Sequence, residues 1–150
     1  MSPIVPPFIG GKRAEIKASR KIYFFDCGIR NIIFGGFEPI NNRNESGALF
    51  ENWVFAELYR ASGILGNIHY WRTRHGLEVD FIFQYNKKIS AIEVKQQAMQ
   101  KPILPRALCD FIDLYQPTQA LVVNSNLSTT KKYNGIEVYW CKPAELKKLL

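Results

Sequence analysis

Histidine and cysteine are scarce in this chain: His69 and His75 are the only imidazoles, and Cys27, Cys109 and Cys141 the only thiols. Two scattered histidines and an odd number of cysteines without C-x-x-C spacing exclude a zinc cluster and a disulfide framework. The thiols read as small buried hydrophobes in a reducing compartment. No apolar run reaches the roughly 20 residues that a membrane-spanning helix needs. The Pro-rich start, Met1 to Gly11, has neither the basic stretch nor the apolar run of a signal peptide. The expectation is a cytoplasmic protein that makes no membrane contact. A phosphate loop is missing as well. Gly10-Gly11-Lys12 has no glycine at the required offset, no Ser or Thr after the lysine and no strand before it. No internal repeat is present.

Acidic residues are outnumbered, 13 Asp and Glu against 20 Lys and Arg, which leaves a net charge of +7. Such a surface favours polyanions, DNA or RNA, although a merely soluble protein can carry the same charge. With 47% hydrophobic residues, 150 residues are enough for one domain around a sizeable core. Residues 1–18, with three prolines and then Gly10-Gly11, read as a flexible N-terminal arm. Residues 19–150 read as the domain.

Along the domain, Lys21–Asp26 is strand-like and Cys27–Phe34 a short helix ended by Gly35-Gly36; Glu38–Glu45 is a loop. Ser46–Ser62 is the clearest helix, with Ser46 a candidate N-cap and Gly63 beyond its end. Its apolar stripe runs Ala48, Val54, Phe55, Leu58, and Glu51 stands in that stripe where an apolar residue belongs. Asn67–Thr73 is a strand, Arg74-His75-Gly76 a turn, and Leu77–Tyr85 and Lys88–Lys95 two further strands. Pro105–Tyr115 is a helix opened by Pro105 and stopped by Pro117. Ala120–Asn124 is a continuously apolar strand covered on both faces. A polar loop, a strand at Ile136–Trp140 and a terminal helix after Pro143 complete the chain. The fold class is α/β, with an αβββαβ core in which helices flank a mixed central sheet.

The most informative segments are Glu78-Val79-Asp80-Phe81-Ile82 and Ala91-Ile92-Glu93-Val94-Lys95. With Asn86-Lys87 as the turn, Tyr85 pairs with Lys88 and Asp80 with Glu93, and strict alternation puts Asp80, Glu93 and Lys95 on one face. Val79, Phe81, Phe83, Ile92 and Val94 then cover the other, leaving a sheet dry on one side and acidic on the other. Converging carboxylates are costly unless a cation sits among them. A divalent ion plus one lysine satisfies this, and the same set suits phosphodiester hydrolysis. Asp80 and Glu93 would hold Mg²⁺ (or Mn²⁺), Glu51 would assist as a third ligand or through water, and Lys95 would orient the attacking water or stabilise developing charge. Three carboxylates and one lysine leave the cluster two charges negative, matched to one divalent ion.

Each element also has a plainer account. Asp80 and Glu93 could be cross-strand partners of lysines, and Glu51 a helix-edge partner of Arg60 or Arg72. Glu78, on the Asp80 face, is a further ligand or plain surface, and reads as surface. Arg72, Arg74 and His75 form a candidate nucleic-acid grip beside Tyr70 and Trp71, which either stack on a base or fill the core. Gln97, two residues past Lys95, is a further candidate for placing a phosphate or water.

A helical glutamate (Glu51), a strand aspartate (Asp80) and an E-x-K on the next strand (Glu93, Lys95) resemble the PD-(D/E)XK nuclease superfamily. KIYFFDCGIRN (21–31), GALFENWVFAEL (47–58), YWRT (70–73), EVDFI (78–82) and IEVK (92–95) more closely resemble the uncharacterised C-terminal domain of prokaryotic AAA-type ATPases. The superfamily implies Mg²⁺-dependent cleavage of nucleic acid, with Asp80 and Glu93 as metal ligands and Lys95 as the catalytic lysine. The narrower likeness implies an ATPase module or partner. The alternative is a catalytically silent module of the same fold that binds DNA or docks on the ATPase. Substrate preference and oligomeric state are left open.

Overall fold

The computed structural model describes residues 4–11, 20–34, 36–63 and 66–150. Strands β1 (Ile4–Val5) and β2 (Lys21–Ile22) form a small antiparallel ribbon, followed by helix α1 (Cys27–Phe34), a 3₁₀ turn at Ile40–Asn42 and helix α2 (Ser46–Ser62). Then come β3 (Asn67–Arg72), β4 (Glu78–Tyr85), β5 (Lys88–Lys95), α3 (Arg106–Tyr115), β6 (Gln119–Asn124), β7 (Thr129–Tyr133), β8 (Ile136–Cys141) and α4 (Pro143–Leu149). From α2 to β6 this is the expected αβββαβ order. The six-stranded sheet runs β3-β4-β5-β6-β8-β7. Its β5–β6 and β6–β8 pairs are parallel and the others antiparallel, so the sheet is mixed.

Both faces of the sheet are dry, which corrects the expected division into a dry and an acidic side. On one face Val54, Phe55 and Leu58 of α2 and Leu146 of α4 pack on Phe81, Phe83, Ile92, Leu121 and Val123. On the other, Leu108, Phe111 and Ile112 of α3 pack on Trp71, Ile82, Ala91, Ala120, Val122 and Val138. Helix α2 obeys its predicted stripe except at its start, where Ala48 is exposed, and Glu45 rather than Ser46 occupies the N-cap position.

The described part of the N-terminal segment, residues 4–11, packs against the sheet. Val5 is 2% exposed. Phe8 donates its N–H to the Tyr70 carbonyl at 2.7 Å and Tyr70 donates to the Pro6 carbonyl at 3.2 Å, which fastens the segment along the outer edge of β3. The remainder of the expected arm, residues 1–3 and 12–18, lies outside the described residues. Strand β7 falls within the predicted polar loop. Its sequence, Thr-Thr-Lys-Lys-Tyr, has no apolar alternation because it is an edge strand with a solvated outer row.

The β4–β5 hairpin turns at Asn86-Lys87 as expected, with Tyr85 opposite Lys88. Both turn residues have left-handed backbone, φ 47° and 65°, the geometry that matches the twist of a two-residue hairpin. A lysine there pays for its Cβ against the following carbonyl. Lys87→Gly is expected to raise the unfolding free energy by about 0.5–1 kcal/mol, since the relief of that clash exceeds the extra entropy of an unfolded glycine. The measurement is a shift of the urea midpoint with an unchanged slope.

Candidate active site

The site begins with a break in the pleat. Strand β3 pairs His69 with Ile82 but Trp71 with Val79, so Asp80 and Phe81 together oppose the single residue Tyr70. Such a bulge adds a residue to one strand and re-aims the side chains around it. Val79 was expected beside Phe81 but packs with Trp71 and Ile82 on the α3 side. The extra residue has reversed the alternation. The β4–β5 ladder runs from Tyr85–Lys88 to Phe81–Ile92, and Asp80 lies one step beyond it. There its Oδ2 accepts the Val94 N–H at 2.8 Å. The aspartate is therefore anchored to the backbone of the residue between Glu93 and Lys95. Bulge and ladder end, not simple alternation, make these three neighbours.

Glu93 is 5% exposed. One of its oxygens takes the Lys95 ammonium at 2.7 Å, while Oε2 is buried with no hydrogen-bond partner among the described residues. Glu51 projects from α2, and its Oε1 accepts the Tyr23 hydroxyl and lies 3.3 Å from Lys21 Nζ. Neither arginine considered for it is engaged there. Arg60 pairs with Glu57, and Arg72 pairs with Glu78 at 2.5 Å. Glu78 is not plain surface: it is half-buried and bridges Arg72 and Lys21. Four carboxylates and three cations thus meet at one end of the sheet.

Lys21 and Tyr23 were not among the sequence candidates. Both stand in the KIYFFD segment, two residues apart as the same face of an extended chain requires. The pattern was visible, but nothing in it indicated which carboxylate it would meet. The segment is fixed by Asn52, 2% exposed, whose side chain accepts the Phe24 N–H at 2.8 Å and donates to the Phe24 carbonyl at 3.0 Å. The Tyr23 ring stacks on Phe55 at 4.8 Å between centroids. The site's second layer is therefore tied to α2 through one amide and one aromatic pair.

Burial, followed by the charges of Glu93 and Glu51, pushes Asp80 up to about 8. Burial also raises Glu93, with Lys95 opposing. Burial alone would lower Lys21 and Lys95. Glu51 and Glu78 outweigh it at Lys21, Glu93 outweighs it at Lys95, and both lysines are raised. With every group ionised the cluster is one charge negative, and a proton on Asp80 makes it neutral. This replaces the two-negative count obtained from three carboxylates and one lysine.

Among the described residues, no three His, Cys, Asp or Glu side chains are arranged to hold a metal ion. A pair does converge, Asp80 with Glu93. Magnesium is commonly held by one or two carboxylates with water and phosphate oxygens completing its shell. The hard oxygens and the unpartnered Glu93 Oε2 fit such an ion, whereas Glu51 is engaged by Tyr23 and Lys21.

The remaining candidates are more dispersed. Arg74 and His75 are exposed in the turn after β3, which Thr73 closes by accepting the Leu77 N–H on its hydroxyl at 3.1 Å. Arg72 is half-exposed and engaged with Glu78. Tyr70 and Trp71, at 1% and 0% exposure, fill the core and have no free face for a base. Gln97 lies in an exposed bend beyond the end of β5, so strand alternation does not carry it to the Lys95 side.

The structure is thus an α/β domain with an acid and lysine cluster where a central hairpin opens. The sequence matches the family described as Domain of unknown function (DUF4143) over residues 46–142, and the chain belongs to that family. The matched span contains Glu51, Glu78, Asp80, Glu93 and Lys95 but not Lys21 or Tyr23. No curated protein and no solved structure matches the chain.

Asp80 ionises near 3.8 in its ordinary state and near 8 in the fold. The stability tied to its proton is complete at acid pH and is lost as the pH rises from about 4 through 8. Asp80→Asn stays neutral throughout and can still accept the Val94 N–H. In the presence of EDTA it is expected to raise Tm by several degrees at pH 8.5 and by clearly less at pH 5, as read by thermal melting. An equal effect at both pH values contradicts the raised ionisation.

Proposed function

We propose that this chain is a metal-dependent nuclease domain that hydrolyses phosphodiester bonds of DNA, in association with an AAA-type ATPase module. The observation that carries this is the buried Glu93 carboxylate, with one oxygen on Lys95 and the other unpartnered, next to an Asp80 held on the intervening Val94 N–H. Asp80 and Glu93 would hold Mg²⁺ or Mn²⁺, which when bound supplies Lewis-acid activation of phosphate and water. Lys95, paired with Glu93 and half-exposed, presents an ammonium for the attacking water or the charge that develops on phosphorus oxygens. Glu51 and Tyr23 keep the second carboxylate layer in place. Arg74, His75 and the net charge of +7 provide the phosphate contacts that hold a DNA backbone, with Arg72 able to join them if it leaves Glu78. The ATPase association rests on the resemblance of the sequence blocks. Three free cysteines and the lack, among the described residues, of a helix long and apolar enough to cross a membrane agree with a cytoplasmic site of action.

A second reading is favoured by one observation. Glu51, Glu78 and Glu93 are already paired with Lys21, Arg72 and Lys95, and a proton on Asp80 balances the fourth carboxyl, so the fold does not depend on a metal ion for charge balance. A catalytically silent module that binds DNA or docks on the ATPase would retain this ion-pair network for stability alone.

Supercoiled, linear and single-stranded DNA incubated with Mg²⁺ or Mn²⁺ distinguishes the two. Cleavage is expected from the wild type and is expected to fall by at least about 100-fold in Lys95→Ala and in Glu93→Gln. Cleavage unchanged in Lys95→Ala overturns the nuclease assignment. DNA retention without any cleavage supports the silent module.

A further inference from the structure

Lys21 is placed as an ion would be. Its ammonium lies 3.3 Å from Glu51 Oε1 and pairs with Glu78 Oε1, and its charge acts on Asp80 in the direction that favours the ionised carboxyl. Its ammonium nitrogen also lies over the Tyr70 ring, 5.4 Å from the centroid. A solvated surface lysine would not be drawn in among three carboxylates, because desolvating an ammonium is costly unless the anions around it repay the cost. The cluster also holds a group that Lys21 leaves unserved, since the deeply buried Glu93 Oε2 has no partner among the described residues. The charge Lys21 supplies is therefore partial, a stand-in that balances the outer carboxylates and leaves the inner one open.

Lys21 reaches the site from outside the span that defines the family. The carboxylates sit on α2, β4 and β5 within residues 46–142, whereas Lys21 rides on β2, a two-residue strand paired with Ile4–Val5. The backbone that follows is anchored by Asn52 on Phe24 and by Tyr23 on Phe55, so the part free to move is the Lys21 side chain, whose flexible stem can swing the ammonium toward solvent. We propose that Lys21 is a tethered counter-cation that competes electrostatically with a divalent metal ion at this carboxylate cluster, so that its side chain acts as an inhibitory strap on the site. This rests on the metal-site reading above. The competition is electrostatic: a unit positive charge at ion-pair distance from Glu51 and Glu78 weakens the field that attracts a second cation. In the resting protein the strap is seated. An ion held by Asp80 and Glu93 meets this charge until the Lys21 side chain swings away from Glu51 and Glu78.

The test is metal binding, not activity. Mn²⁺ affinity is measured at pH 8 by the loss of the free-ion electron paramagnetic resonance signal and by calorimetry, after thermal melting confirms that each variant is folded. Lys21→Met and Lys21→Gln are expected to bind Mn²⁺ about tenfold tighter than wild type or better. Lys21→Arg, which keeps the charge, is expected to bind no tighter than wild type. Asp80→Asn is expected to abolish binding in the wild-type and Lys21→Met backgrounds alike. Unchanged or weakened affinity in Lys21→Met, with binding still lost in Asp80→Asn, overturns the strap and leaves the metal site standing. Absence of binding in every variant, Lys21→Met included, overturns both. A measurement on the unaltered protein closes the remaining gap if the variants do not fold. In ¹³C-lysine spectra, with the Lys21 signal assigned from Lys21→Arg or by sequential assignment, saturating Mg²⁺ is expected to move the Lys21 Cε resonance toward that of a solvated lysine. A resonance that stays in place overturns the proposal.

Discussion

A carboxylate buried at the end of a central strand is the constraint around which this end of the molecule is arranged. Strand β5 lies between β4 and β6 and is covered by an apolar layer on each face. A charge in its middle would have no solvent and no partner, so the only tolerable position is where backbone pairing with β4 has stopped. Glu93 occupies that position. Lys95, two residues on, neutralises one oxygen; the cost of the other is distributed among a raised ionisation, a protonated Asp80 and the electrostatic surroundings. The cations on Glu51 and Glu78 belong to the same arrangement. Without Lys21 and Arg72 the second layer of carboxylates would repel the first.

The bulge at Asp80 and Phe81 is the structural device that permits this. A regular strand would have sent Val79 and Phe81 to one layer and Asp80 to the other. The extra residue lets Val79 join the α3 core and Phe81 the α2 core while freeing the Asp80 side chain to cap a backbone amide. One inserted residue therefore serves packing on both faces and the chemistry at the end.

How much of this was legible follows from what each residue contributes to pattern. The αβββαβ order, the Asn86-Lys87 turn and the doubly covered Ala120–Asn124 strand were readable because periodicity and turn chemistry act locally. Glu51 was readable as an anomaly in an apolar stripe, and Glu93 with Lys95 as a repeated acid-base spacing. The bulge was not readable, because one extra residue leaves composition untouched and reveals itself only in which layer Val79 joins. Strand β7 was missed because an edge needs little apolar character. Lys21 and Tyr23 were missed because their significance depends on a contact with Glu51 made thirty and twenty-eight positions away in sequence. Glu78 was misjudged for the same reason, since its partners Lys21 and Arg72 come from other strands.

The two edges of the sheet also determine how this molecule can meet copies of itself. At one end the backbone of Pro6 and Phe8 already engages Tyr70 on β3, and at the other β7 presents Lys131 and Lys132 along an exposed rim. An incoming strand would have to displace bonded chain on one side or bring its backbone against like charges on the other. Polymerisation by strand addition is thereby disfavoured at both ends, and the exposed apolar side chains Ile29, Ile32 and Ile33 lie away from either edge, on helix α1.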